Sequence, residues 1–177
     1  NAAFLIAALV TWRDARRSSA LTTDIWALII VTASIGVGSF LFHTFATGWS
    51  RVLDVVPILI FQLLFLWFYS RTIMGVRRGV SALLVGSFLV AALIGRQFPA
   101  ILNGSLIYAP AFVTILGLGI YHARTQEAAR YALLGSAAML TLSLLCRTFD
   151  AQVCPTFPLG THFLWHLANS AVLYLAM

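Results

Sequence analysis

The sequence contains few charged residues and no lysine. Only 9% of its 177 residues are charged, and all eleven basic residues are arginines. Soluble domains are about 25% charged and about 45–50% apolar, whereas this chain is 61% hydrophobic, with a mean hydropathy of +0.95. A globule of this size cannot hide so much apolar surface from water. The composition therefore excludes a soluble enzyme, a nucleic-acid-binding protein and a disordered protein, and it leaves a multi-pass integral membrane protein.

Long polar stretches that could form a second domain are also missing. Apolar runs occupy most of the chain, at 2–12, 25–43, 53–69, 79–95, 104–121, 130–147 and 161–177. In lipid each run must be helical, because its backbone polar groups find partners only within the segment. We therefore predict an all-α integral membrane protein, a single seven-transmembrane-helix bundle over residues 1–177. The first run is too short to span a bilayer and begins without a methionine, so we expect a first helix truncated at its N-terminus.

Arginine is distributed unevenly between the loops on the two sides of this predicted bundle. One side carries three arginines, Arg51, Arg96 and Arg147. The other side carries eight: Arg13, Arg16, Arg17, Arg71, Arg77, Arg78, Arg124 and Arg130. Because cytoplasmic loops are enriched in Lys and Arg, the N-terminus is predicted outside and the C-terminus in the cytoplasm.

Ionisable residues within or beside the spans are few, and each is costly in lipid. One group lies at predicted cytoplasmic helix ends, where exposure to solvent explains it: Asp14, Asp24, His122 and Glu127. The remaining group falls entirely in the extracytoplasmic leaflet: His43, Asp54, Asp150, His162 and His166. We therefore predict a functional site toward that side of the membrane.

The histidine spacing predicts a metal site. His162 and His166 are four positions apart, which places them on one face of a helix. With His43 as the third ligand they would form the open His₃ arrangement of catalytic zinc, which lowers the pKa of bound water to about 7. Asp54 is then the carboxylate that orients this water and accepts its proton. Ser39, one turn before His43, is a candidate donor to an oxyanion.

Structural roles compete with these functional ones. Histidines can pack or lie at the interface, and Ser39 follows glycines of the kind found where membrane helices pack closely. Trp49 and Trp165 are predicted mainly as anchors at the membrane interface. Arg147 and Asp150 are three positions apart, which suits a helical ion pair. Alternatively, Asp150 fixes the tautomer of a histidine ligand.

The candidate residues form a set that resembles a known family. The stretch Gly38–His43 contains the pattern S-x-x-x-H, formed by Ser39 and His43, and Asp54 follows eleven positions later. On the last helix, His162–His166 has the form H-x-x-x-H. This set, with the stretch Phe149–Cys154, resembles the alkaline ceramidases. They belong to a superfamily of seven-helix membrane hydrolases that includes adiponectin-receptor-type and GPI-remodelling proteins.

The resemblance implies a zinc-dependent hydrolase acting on a linear amide. It implies zinc held by His43, His162 and His166, water activated by Asp54 with help from Ser39, and ceramide cleaved to a sphingoid base and a fatty acid. The partners would be this membrane lipid and the bilayer itself. The family also carries an acidic, calcium-site-like segment before its first helix, which this sequence starts too late to include.

Further alternatives remain at this stage. The family cysteine matching Cys154 pairs with one in that same preceding segment, so Cys154 is here either unpaired or facing Cys146. The protein could instead hydrolyse another lipid amide or ester. It could also be a receptor with a structural zinc, which would need a fourth protein ligand, and Asp54 is the nearest candidate. A transporter is less favoured, because its charged groups would lie near the bilayer midplane.

Overall fold

Helices form almost the whole molecule. The computed structural model describes residues Asn1–Met177 and contains no β-strand. Its seven α-helices are α1 (Ala2–Arg17), α2 (Thr23–Phe45), α3 (Gly48–Phe68), α4 (Arg78–Arg96), α5 (Ala109–Thr125), α6 (Ala132–Val153) and α7 (His162–Ala176). A π-helical turn, Tyr69–Ile73, continues α3, and a 3₁₀ segment, Ile101–Tyr108, precedes α5. The predicted all-α class is confirmed. Each predicted apolar run overlaps an α-helix, although the fifth run, 104–121, begins within the 3₁₀ segment.

Five helical segments are long and apolar enough to cross a membrane: Thr23–Phe45, Gly48–Ile73, Arg78–Arg96, Ile101–Thr125 and Ala132–Val153. α1 and α7 are shorter, with 16 and 15 residues. Burial follows the pattern expected of a protein in lipid, since Leu83 and Val113 are 71% and 67% exposed while Ser70 and Ser81 are fully buried. These features are consistent with a multi-pass membrane protein. Seven spans, and their orientation, stay predictions.

The chain divides into two compact units, Asn1–Gly86 with Met177, and Ser87–Ala176. In the first unit α2 packs extensively on α3, and α1 packs on α2. α2 ends at Ala46, which adopts the left-handed conformation (φ 50°, ψ 33°). α3 then begins with a capping box, in which the Thr47 N–H donates to Ser50 Oγ over 3.0 Å. This tight turn folds α3 back against α2 and brings the end of one helix to the start of the other.

Gly38 lies where the backbones of α2 and α3 approach each other. A side chain at this position would collide with the carbonyl group of Leu53. Ser39 and Asp54 are the chain neighbours of these two residues, so the close approach brings both candidate site residues to the α2–α3 contact. The glycine is therefore required by packing, as the small-residue interpretation of this stretch predicts.

We expect Gly38→Ala to destabilise the protein by about 1–3 kcal/mol, the usual cost of overpacking. The methyl group would meet backbone, which cannot move aside as a flexible side chain can. The thermal unfolding midpoint of the purified protein in detergent measures the effect. The control is Gly86→Ala, since a Cβ there meets nothing within 4 Å. A Gly38→Ala midpoint equal to that of the parent would contradict the argument.

In the second unit α6 packs on α5 and α7. Buried serines on α6 donate to α7 carbonyls, Ser136 to Val172 over 3.0 Å and Ser143 to Trp165 over 3.3 Å. α6 continues to Val153, beyond the predicted apolar run, so Asp150 lies within its last turns rather than after them. Pro110 occupies the first turn of α5, a position that suits proline because an N–H group there would have no acceptor within the helix.

Candidate metal centre

Two histidines of the predicted metal site lie together on α7. His162 is the first residue of this helix and His166 lies one turn further on. Their ring centroids are 4.9 Å apart, with the planes at 81° to each other. His166 is buried at 6% exposure, whereas His162 is half-buried. The predicted placement of this pair on one helix face is therefore confirmed.

The third predicted ligand, His43, lies in the last turn of α2 and is exposed. His43 belongs to the first compact unit, whereas His162 and His166 belong to the second. Their meeting at one metal ion therefore stays a prediction.

Asp54 lies in the second turn of α3 and is buried at 8% exposure. Its Oδ1 atom is buried and accepts no hydrogen bond from the protein. Leaving a buried acceptor unsatisfied costs about 1–3 kcal/mol, and more when it is charged. Such an atom is expected to face water, an ion or a ligand.

Ser39 is buried at 1% exposure. Its hydroxyl donates to Oδ1 of Asn1 over 3.1 Å, so a substrate oxygen would have to replace this acceptor. Gly36, about one turn earlier on the same helix, supports close packing, because a Cβ there would meet Leu5 at 3.0 Å. The structure thus gives Ser39 a packing environment and a hydrogen-bond partner within its own unit, and its catalytic role stays a prediction.

Trp165 is a site residue that the sequence reasoning assigned elsewhere. The prediction of an interface anchor is wrong for Trp165, which is 3% exposed, whereas Trp49 is 55% exposed. The Trp165 ring stacks on His162 with centroids 5.2 Å apart, and it meets His166 edge-on at 4.6 Å. Its position three residues after His162 is the signal that could have identified it, since such residues share a helix face.

Arg147 and Asp150 do not form the ion pair that their spacing allows. The Arg147 guanidinium lies over the rings of Tyr108 and Trp165, 5.5 and 5.3 Å from their centroids. Asp150 instead accepts hydrogen bonds from the backbone N–H groups of Thr161 and His162. Its contact with His162, a predicted ligand, is therefore through the main chain and not through the ring that sets the tautomer.

The two cysteines are both free. Cys146 is half-buried and Cys154 is exposed, so they are not joined to each other. The Cys154 thiol lies 3.9 Å from Oδ1 of Asp150. Of the two possibilities left open by the sequence, the structure shows the unpaired one.

Comparison with known proteins does not extend this description. No family model, no curated protein and no solved structure matches the chain. Any functional conclusion therefore depends on the predicted histidine ligands, on Asp54 and Ser39, and on the apolar helices that carry them.

Proposed function

We propose that this protein is a zinc-dependent hydrolase that cleaves a lipid amide within the membrane, as its resemblance to the alkaline ceramidases implies. The observation that carries the proposal is the histidine pair at the start of α7, where the rings of His162 and His166 lie 4.9 Å apart and His166 is buried. Histidines are rare in this chain, which has four in all. His43, in the last turn of α2, is proposed as the third ligand, as the resemblance implies.

The donor set favours zinc. Imidazole nitrogen is a common ligand of zinc, and a tetrahedral ion held by three of them keeps one position open. In such a site zinc supplies Lewis acidity, which makes water a nucleophile near neutral pH. A structural zinc, as the receptor alternative requires, would need a fourth protein ligand. The proposal assigns Asp54 to proton transfer and not to this fourth position, so the proposed site is of the open, catalytic kind.

Asp54 is the residue proposed to move the proton. Its buried Oδ1 accepts no hydrogen bond from the protein, so it is available to hold the proton released by the attacking water. The same carboxyl group would then return this proton to the amide nitrogen, which must leave as an amine when the C–N bond breaks. This double use of one group is ordinary general acid–base catalysis.

Ser39 is proposed to donate to the oxygen of the substrate carbonyl as negative charge develops on it. Its hydroxyl already points to an oxygen acceptor, Oδ1 of Asn1, so the exchange would replace one acceptor by another. A substrate that displaces Asn1 would meet a donor held on the same helix as His43. The contribution of Ser39 is therefore expected to be smaller than that of Asp54.

The proposed substrate is a ceramide-like lipid. With seven spans and the N-terminus outside, every candidate site residue falls in the extracytoplasmic leaflet, close enough to the interface for water to enter. The substrate's acyl chains can lie among apolar helices while its polar amide stays near that interface. Another lipid amide or ester would satisfy the same chemistry, so the substrate class is part of the test.

Removing the metal is expected to abolish hydrolysis. The measurement is release of the sphingoid base from ceramide by the purified protein in detergent, before and after treatment with a zinc chelator. Because the three imidazoles have no catalytic function without an ion, activity should fall to background and return when zinc is added. Parallel assays with other lipid amides and esters separate the substrate alternatives. A folded, zinc-loaded protein that hydrolyses none of these lipids would contradict the proposed function.

A further inference from the structure

The N-terminus of α7 is fastened to α6 by residues that the proposed reaction does not use. Thr161 and His162 donate their backbone N–H groups to Oδ1 of Asp150 over 2.6 and 2.9 Å. The Thr161 hydroxyl donates to the Cys146 carbonyl over 2.6 Å. Cys146 and Asp150 are one turn apart on α6, so both attachment points lie on the same face of that helix.

Helix electrostatics make Asp150 an effective anchor. The first N–H groups of a helix have no acceptor within it, and the partial positive charge there is stabilised by a carboxylate. Hydrogen bonds from N–H groups to a carboxylate are roughly twice as strong as neutral ones. A cap normally comes from the residue at the helix start, but the Thr161 hydroxyl is directed to Cys146. Asp150 therefore supplies the cap of α7 from another helix.

Gly160 allows the chain to approach this carboxylate. It adopts a φ of +60°, which favours glycine. A Cβ on Gly160 would overlap Oδ1 of Asp150 and lie 2.9 Å from the sulfur of Cys154. Glycine is thus required here both by the backbone conformation and by the close contact. We call Cys146, Asp150, Gly160 and Thr161 the α7 latch.

The α7 latch ends at the first proposed metal ligand. The N–H group that Asp150 binds belongs to His162 itself, and His166 lies one turn further along the same helix. Fixing the first turn of α7 therefore fixes the direction of both imidazoles. We propose that Asp150 is a positioning residue, which holds the His162–His166 pair in the geometry that a metal ion requires. This inference rests on the proposed function, because it assigns the pair to metal binding.

The test measures zinc affinity, by competition with a chelator, in the purified full chain. Residues that orient metal ligands typically contribute 10–100-fold to metal affinity, so Asp150→Ala is expected to lose about that much. Asp150→Asn keeps an acceptor oxygen without the charge and should lose less. Gly160→Ala should also weaken zinc binding, because it separates the turn from the carboxylate.

Ser136→Ala is the matched control. It removes a hydrogen bond between α6 and α7 at Val172, far along α7 from the latch, so it loosens the same helix pair without touching the first turn. Its zinc affinity should equal that of the parent. If Ser136→Ala and Asp150→Ala weaken zinc binding equally, the effect is general loosening and the positioning role is wrong.

Amide hydrogen exchange of the metal-free protein separates this inference from the proposed function. Asp150→Ala should speed exchange at residues 161–166, and Ser136→Ala should not. Faster exchange with unchanged zinc affinity would overturn the positioning role while leaving the metal site in place. A parent chain that binds no zinc at all would overturn the proposed function, and the inference with it. Unchanged exchange in Asp150→Ala would show that the latch does not hold α7.

Discussion

His166→Ala is expected to lose zinc binding and lipid hydrolysis together. His166 is the buried member of the three proposed ligands, and the two remaining imidazoles would be too few for a stable zinc site, which needs at least three protein ligands. We expect metal affinity to fall by more than the roughly 10–100-fold typical of residues that only orient ligands. Zinc content per chain, measured by elemental analysis, and release of the sphingoid base should both fall to background.

Substituting the buried His166 can also unfold the protein. A second variant, at an exposed proposed ligand, is therefore needed in the same experiment. His43→Ala changes an exposed side chain at the end of α2, where little packing is lost. It should lose zinc as His166→Ala does. Because bound zinc itself stabilises the folded state, its thermal midpoint should equal that of the parent measured after the metal has been removed. His122→Ala is the control histidine, because it lies in the last turn of α5 and is not one of the proposed ligands. Zinc retained in full by His43→Ala would contradict the three-histidine site.

The positions of the helices could be predicted because the signal is local. A continuous apolar run in a chain this poor in charge has only one stable form in lipid, so runs such as 25–43 and 79–95 coincide with α2 and α4. The end of α6 could not be predicted in this way. Its last turns, Cys146–Val153, are polar and are held by bonds to the start of α7, and only the folded chain shows those bonds.

The candidate site, like the helices, was predictable where its geometry follows from local sequence and not where it depends on tertiary contacts. The spacing of His162 and His166 determines their shared face without further information. Grouping them with His43 was an inference from predicted depth in the membrane, and only tertiary structure can test it. Trp165 was assigned to the interface because tryptophan usually lies there, and its burial against both histidines depends on packing that composition does not record. The sequence reasoning missed that the Asp150 carboxylate accepts hydrogen bonds from backbone N–H groups of α7, because spacing rules consider only pairs of side chains.

Asp54→Asn is expected to leave zinc in place and to slow hydrolysis by about 10²–10⁴-fold, the usual contribution of a positioned acid–base group. The amide has nearly the shape of the carboxylate, so the packing of α3 on α2 should be kept. It cannot accept the proton of the attacking water at neutral pH. The turnover number should therefore fall while zinc content per chain stays that of the parent. This pattern distinguishes Asp54 from the three histidines, whose loss removes both.

The same substitution decides between the catalytic and the structural kind of zinc. If Asp54→Asn loses zinc, Asp54 is a fourth ligand, the site is closed, and a receptor with a structural metal becomes the better explanation. If zinc and turnover both stay unchanged, Asp54 has no part in the chemistry and its unsatisfied Oδ1 needs another partner. Asp24→Asn makes the same chemical change in the first turn of α2, at the other end of that helix from His43. It should alter neither zinc content nor turnover. Only loss of turnover with zinc retained agrees with Asp54 as the group that carries the proton.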